Sequence, residues 1–125
     1  MAKKRKITYD MNLLRALKKL PSPIEDKKHG LSVFVKDGKA RSNQTRFEHI
    51  VKSSHNLHVA DIEMIPIAIK EHHYFIVDPR RKRSCSYIYP RSGQQKDYLQ
   101  VVIDLDKNDP KKATIKTVFI TRKAK

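Results

Sequence analysis

Apolar residues along this chain follow two rhythms, and the change between them falls just after His73. Before it, they recur every three or four positions. In "MNLLRALKKL", residues 11–20, the leucines Leu13, Leu14, Leu17 and Leu20 share one side of a short amphipathic helix. The "PSP" at 21–23 stops that helix, because the ring locks φ and restricts the preceding residue. Phe47, Ile50, Val51 and Leu57 repeat the helical spacing, with Ser54 completing the stripe. Asn43 or Thr45 is placed to cap this helix, and Glu48 follows Thr45 by the three residues of a capping box. A further helical piece is expected from about Val59 to Ile69, kinked or restarted by Pro66, which has no amide hydrogen. Between the first two helices, "LSVFVKDGKARSN" reads as a β-hairpin. Its strands would be Ser32–Lys36 and Lys39–Ser42, with Asp37–Gly38 supplying positive φ at the turn.

Beyond His73 the period drops to two. "YFIVD", "SCSYIY", "YLQVVIDL" and "TIKTVFIT" are four β-rich runs. Tyr98–Leu105 alternates cleanly and is expected to bury Leu99, Val101, Ile103 and Leu105. The connections at 78–83, 90–97 and 106–113 are short, which favours an antiparallel meander. Helices followed by strands predict an α+β fold: N-terminal helices packed on one face of a four-stranded, or slightly larger, antiparallel sheet. Residues 11–122 form the single expected domain, between a basic arm at 1–10 and a basic tail at 123–125.

Charge alters the picture more than any motif. Of 125 residues, 28 are Lys or Arg against 13 Asp or Glu, a formal net charge of +15. Such an excess draws polyanions, nucleic acid first, and makes their binding depend steeply on salt. The lone cysteine, Cys85, rules out an internal disulfide and a cysteine-rich zinc site. No apolar run reaches the roughly 18 residues of a membrane span, and no hydrophobic stretch follows the charged "MAKKRK" start. A cytoplasmic site of action without membrane contact is the expectation.

Candidate chemistry concentrates in "RFEHIVKSSH", residues 46–55. With Phe47 at zero on a helical wheel, His55 lies at about 80°, Lys52 at about 140° and His49 at about 200°. These three share a polar flank while Phe47, Ile50 and Val51 face inward. Metal-free RNA cleavage needs a base for the 2′-hydroxyl proton, an acid for the leaving oxygen, and donors on the phosphoryl oxygens. Histidine serves either proton role, and lysine, arginine and hydroxyls serve the last. A solvated helix face is the plain alternative for the same residues.

A second candidate is "DPRRKRSCSYIY", where Arg80, Arg81, Lys82 and Arg83 lead into a strand carrying Tyr87 and Tyr89. Cations beside aromatics suit single-stranded RNA, through phosphate contact and base stacking. In the last run, Thr117 is a candidate hydroxyl donor, although threonine commonly sits in strands for its β-propensity. Other residues are read as structural. Asp104, Asp106 and Asp109 are solvated turn carboxylates, and Cys85 is a small packed residue. His29 and His58 are incidental, and His72–His73 lack the two further ligands a metal would need. No cofactor and no metal are expected.

The order of features then becomes informative: a basic hairpin, "HIVKSSH" on a helix, "DIEMIP", "YFIVD", then "YIY…YLQVVID…TIKTVFIT". Over roughly residues 31–122 it resembles the phage-type nuclease branch of the barnase–EndoU–colicin–RelE ribonuclease superfamily. The resemblance implies metal-independent endoribonuclease activity, often on transfer RNA, by 2′-hydroxyl attack to leave a 2′,3′-cyclic phosphate. It implies His49 and His55 as acid and base, Lys52 and Arg81 as stabilisers of phosphate charge, and Thr117 as a donor to the scissile phosphate. Tyr87 would orient or stack a base, with Arg46, Arg80, Lys82, Arg83 and Tyr89 on the RNA. Many such domains are toxins, so an acidic immunity protein or antitoxin is an implied partner of an otherwise monomeric chain. The chain departs from the pattern at "KEHHYFIVD", where relatives often carry a proline turn. The competing class is a non-catalytic basic RNA- or DNA-binding module, or a phage accessory protein.

Overall fold

A computed structural model describes residues 11–41, 44–51, 57–81, 83–91 and 97–122. Lys52, His55 and Lys82 lie outside these residues, as do Ser54, the basic arm and the basic tail. The first helix, α1 (Met11–Lys18), buries Leu13 and Leu17, while Leu14 and Leu20 pack at the margin of the core. Helix α2 (Arg46–Val51) starts at the expected capping box. The Thr45 amide donates to Glu48 Oε1 at 2.9 Å, and the Glu48 amide donates to Thr45 Oγ1 at 3.2 Å. Pro66 does restart the next helix: α3 (Val59–Glu63) ends at Met64, and α4 (Ile65–Glu71) begins with the proline in its first turn, where a missing amide hydrogen costs nothing.

The predicted hairpin does not form. Leu31–Phe34 (β2) pairs antiparallel with a short strand that the sequence reading missed, β1 (Ile24–Asp26). Lys39–Arg41 (β3) pairs instead with Gln44–Thr45 (β4) in a separate ribbon. Gly38 does not take a positive φ. The Asp37 carboxylate accepts the Gly38 amide at 2.9 Å and the Phe47 amide at 3.0 Å. Asp37 thus braces the start of α2 rather than a hairpin turn. Among the described glycines, the left-handed one is Gly30, at φ +66°, closing the β1–β2 turn.

The four C-terminal runs are strands as expected: β5 (Tyr74–Val77), β6 (Ser84–Pro90), β7 (Asp97–Leu105) and β8 (Lys112–Arg122). They form the antiparallel meander, but the whole sheet is six-stranded and mixed, in the order β1-β2-β8-β7-β6-β5. The parallel pair is β2 with β8. A four-stranded antiparallel sheet is therefore too small and too uniform a description. Leu31 and Val33 are buried on β2, as are Ala113 and Ile115 on β8, so the pairing extends one apolar surface. In β8 the register slips between Val102↔Thr117 and Ile103↔Ile115, leaving Lys116 unmatched. This bulge moves the inward phase from Ala113 and Ile115 to Val118.

Helix and strand residues share one apolar cluster, including Leu17, Ile50, Ile62, Ile69, Tyr87, Leu99 and Val101. The sheet is curled. Tyr87 on β6 donates its hydroxyl to Asp26 Oδ2 on β1 at 2.8 Å. In a flat sheet those strands would stand four spacings apart, about 19 Å. The same Oδ2 lies 2.9 Å from His29 Nδ1, and Oδ1 accepts the Lys28 amide at 3.1 Å. The His29 ring stacks on Phe75 of β5 with centroids 4.0 Å apart, so contacts from both edges meet across the core.

A second buried carboxylate, Asp61, accepts the His58 amide at 2.8 Å and a two-pronged Arg91 contact at 2.9 and 3.0 Å. That pairing raises the Arg91 pKa, so Arg91 is a structural cation. No helix among the described residues is long and apolar enough to cross a membrane.

Burial raises the Tyr87 pKa first, and its bond to Asp26 adds to the effect. A raised pKa favours the protonated form in the folded state, so this stabilisation is complete below about pH 10 and is lost above it. Wild-type unfolding free energy should fall by about 1.4 kcal/mol per pH unit above pH 10 through this group. Tyr87→Phe should cost about 1–3 kcal/mol at pH 7 and flatten that alkaline decline. Urea titrations from pH 7 to pH 11 measure both effects.

Candidate nucleic-acid interface

Three turns share one end of the sheet. The β1–β2 turn at 27–30 carries Lys27 and Lys28, the β5–β6 turn carries Arg80, Arg81 and Arg83, and the β7–β8 turn carries Lys107 and Lys111, with Lys112 opening β8. All eight cations are exposed. Backbone bonds stitch the turns together: Leu105 N–H donates to the Arg83 carbonyl at 2.7 Å, and Ser32 N–H to the Lys111 carbonyl at 2.8 Å. The nearby acids are turned onto the backbone. Asp78 Oδ1 accepts the Arg80 amide, Asp106 Oδ1 accepts the Asn108 amide, and Asp109 Oδ1 accepts the Lys111 amide. Each of these carboxylates supports a turn, while the cations project from the rim.

The predicted aromatic partners do not join this rim. Tyr87 is fully buried, with its hydroxyl on Asp26, so it offers no face to a base. Its alternation was the source of the error: Cys85, Tyr87 and Tyr89 lie on the core side of β6, paired with Ile103, Val101 and Leu99. Tyr89 is half-buried and meets His73 edge-on at 5.4 Å. It stands six residues along β6 from Arg83, roughly 20 Å. Cys85 is buried, and desolvation followed by the Asp104 charge pushes its thiol pKa up, as suits a packed residue rather than a nucleophile.

The predicted catalytic residues divide between two places. Arg81 belongs to the rim, two strands from β8. Arg46 lies at the start of α2 and reaches β8, its Nη1 standing 3.5 Å from the Ile115 carbonyl. His49 follows Arg46 by three residues, so the two share a flank of the helix. Thr117 lies two residues beyond Ile115, just past the bulge. Its Oγ1 is shielded from solvent and has no hydrogen-bond partner among the described residues. Thr117 pairs with Val102, so its side chain lies on the sheet face opposite Val101, Val118 and the buried residues of α2, and the predicted donor does not join Arg46 and His49. Lys112, at the rim, is three residues from Ile115, roughly 10 Å along β8. The rim and the α2–β8 seam therefore lie along one strand.

Sequence reading missed Asp26, His29 and His72 as a group. The signal was present in "DKKHG", an Asx turn closed by glycine, but its partner His72 lies more than forty positions away. Comparison with family models, curated proteins and solved structures finds no match for this chain.

Each exposed rim cation that neutralises a phosphate adds to the salt dependence of binding. Affinity for single-stranded RNA should fall steeply between 50 and 200 mM salt, and Arg81→Ala should reduce the log–log slope by about 0.7 to 1. Fluorescence anisotropy across a salt series reads the slope directly.

Proposed function

We propose that this chain is a metal-independent endoribonuclease that holds RNA along the cationic rim and cleaves it at the α2–β8 seam. The observation that carries the reading is the Arg46 contact with the Ile115 carbonyl. It sets the helix bearing His49 beside the strand bearing Thr117. The helices cover the apolar face of the sheet, and the polar flank of α2 looks toward the bound strand. His49 and His55 take the two proton-transfer roles, one accepting the 2′-hydroxyl proton and the other protonating the 5′-leaving oxygen. Arg46 and Lys52 stabilise the charge that develops on the phosphoryl oxygens. Arg80, Arg81, Lys82 and Arg83 hold flanking phosphates. The products are a 2′,3′-cyclic phosphate and a 5′-hydroxyl, with transfer RNA as the candidate substrate class and an acidic inhibitor as the candidate partner.

A second reading draws on the rim itself. Its cations are exposed and its turns complete without any contribution from α2, as a non-catalytic RNA-binding module would require. Cleavage assays separate the two. In EDTA, the wild type should release cyclic-phosphate ends from RNA. His49→Ala should lower the rate by about 10²–10⁴ with RNA affinity changed less than threefold. Absence of cyclic-phosphate product from the folded wild type across a panel of RNAs leaves the binding module as the function.

A further inference from the structure

His72 and His73 on their own are two imidazoles at the start of a strand. Folding supplies His72 with what the sequence around it lacks. Asp26 and His29, from the β1–β2 turn at the opposite edge of the sheet, each bring a ligand atom within 4.8 Å of the other two in the Asp26–His29–His72 group. We propose that these three residues bind one divalent transition ion of the zinc class, and that this ion staples the two edges of the curled sheet. The proposal is independent of the ribonuclease reading.

The ligand set argues for that class. Two imidazoles and one carboxylate suit Zn²⁺ or Co²⁺ and leave a fourth position for water, whereas Mg²⁺ and Ca²⁺ select oxygen. The surroundings are those of held ligands. His72 is buried, and its Nδ1 stands 2.9 Å from the Ile69 carbonyl. Facing a carbonyl, Nδ1 must be the donor, so the lone pair sits on Nε2. Asp26 is buried and is oriented by the Tyr87 hydroxyl at 2.8 Å and the Lys28 amide at 3.1 Å. These outer partners fix the first ligands, as second contacts do in metal sites. His29 is the most exposed of the three, with a side chain 35% exposed, and it marks the side from which an ion enters. Its Nδ1 already lies 2.9 Å from Asp26 Oδ2, near the separation of adjacent ligands on one ion. The His29 and His72 rings stand 5.0 Å apart, so the two imidazoles are already neighbours beside the Asp26 carboxylate.

Such an ion would link residues 26–29 to residue 72 in the folded state only, and would stabilise it by mass action. The experiment uses the full chain without an affinity tag. Zn²⁺ at about a hundred times its Kd should raise Tm by about 5–10 °C, with one ion bound per chain by calorimetry. Co²⁺ should give the visible d–d absorption of a four-coordinate nitrogen–oxygen site. His29→Ala, at a side chain 35% exposed, should abolish the Co²⁺ band and reduce the Zn²⁺ shift, read against that variant's own metal-free Tm, below about 2 °C. His73→Ala should retain both. Equal Zn²⁺ shifts in wild type and His29→Ala, or a Co²⁺ spectrum of the free hexaaqua ion, would overturn the proposal.

Discussion

The Tyr87–Asp26 hydrogen bond is the constraint on which the rest of the structure depends. It joins the fifth strand of the sheet order to the first, and a sheet can satisfy it only by curling. The curl wraps the apolar cluster, brings His29 onto Phe75, and seats His72 beside Tyr87 with ring centroids 4.9 Å apart. A carboxylate and a phenol in a core are costly if left unpaired, and each here satisfies the other. The Asp26 carboxylate has a backbone amide and an imidazole as further partners, so its burial is compensated at three points.

Acidic side chains elsewhere follow the same rule, and this shapes the electrostatics. Asp37 and Glu48 brace α2, Asp61 holds Arg91 and caps α3, and Asp78, Asp106 and Asp109 close turns. The chain has 13 acids against 28 Lys and Arg, and many of those acids are engaged with the backbone. Among the described residues, the cations on the turns at 27–30, 78–83 and 106–111 are exposed, and of these Lys28 Nζ donates to the His72 carbonyl at 3.5 Å. They are left to form a rim at one end of the sheet, where field and exposure coincide. That rim and the α2–β8 seam lie along the one strand, β8.

Much of the local structure was legible, and particular residues show why. The Thr45–Glu48 box fixed the start of α2 because a cap depends on neighbours three residues apart. Pro66 fixed the α3–α4 break because its ring acts on its own turn. The meander followed from period-two runs with short connections. The hairpin failed because Asp37–Gly38 carries a strong local signal for a turn, yet Leu31–Phe34 gains more from lying between β1 and β8. β1 was missed because three residues, Ile24–Asp26, are too few to show a period. Tyr87 was expected on a base, yet it is buried, because "SCSYIY" is apolar enough on both sides that alternation does not choose the inward one.

The sequence by itself determined the capped start of α2, the break between α3 and α4, the strand runs after His73, and the cationic excess, since each arises from composition or from neighbours within a turn or two. Only the tertiary structure decided which strands neighbour which, the bulge at Lys116, and the inward side of Tyr87. It also decided the meeting of Asp26 and His29 with His72. Those features are contacts between residues far apart in the chain, set by how one apolar surface closes on itself, and no local pattern encodes that closure.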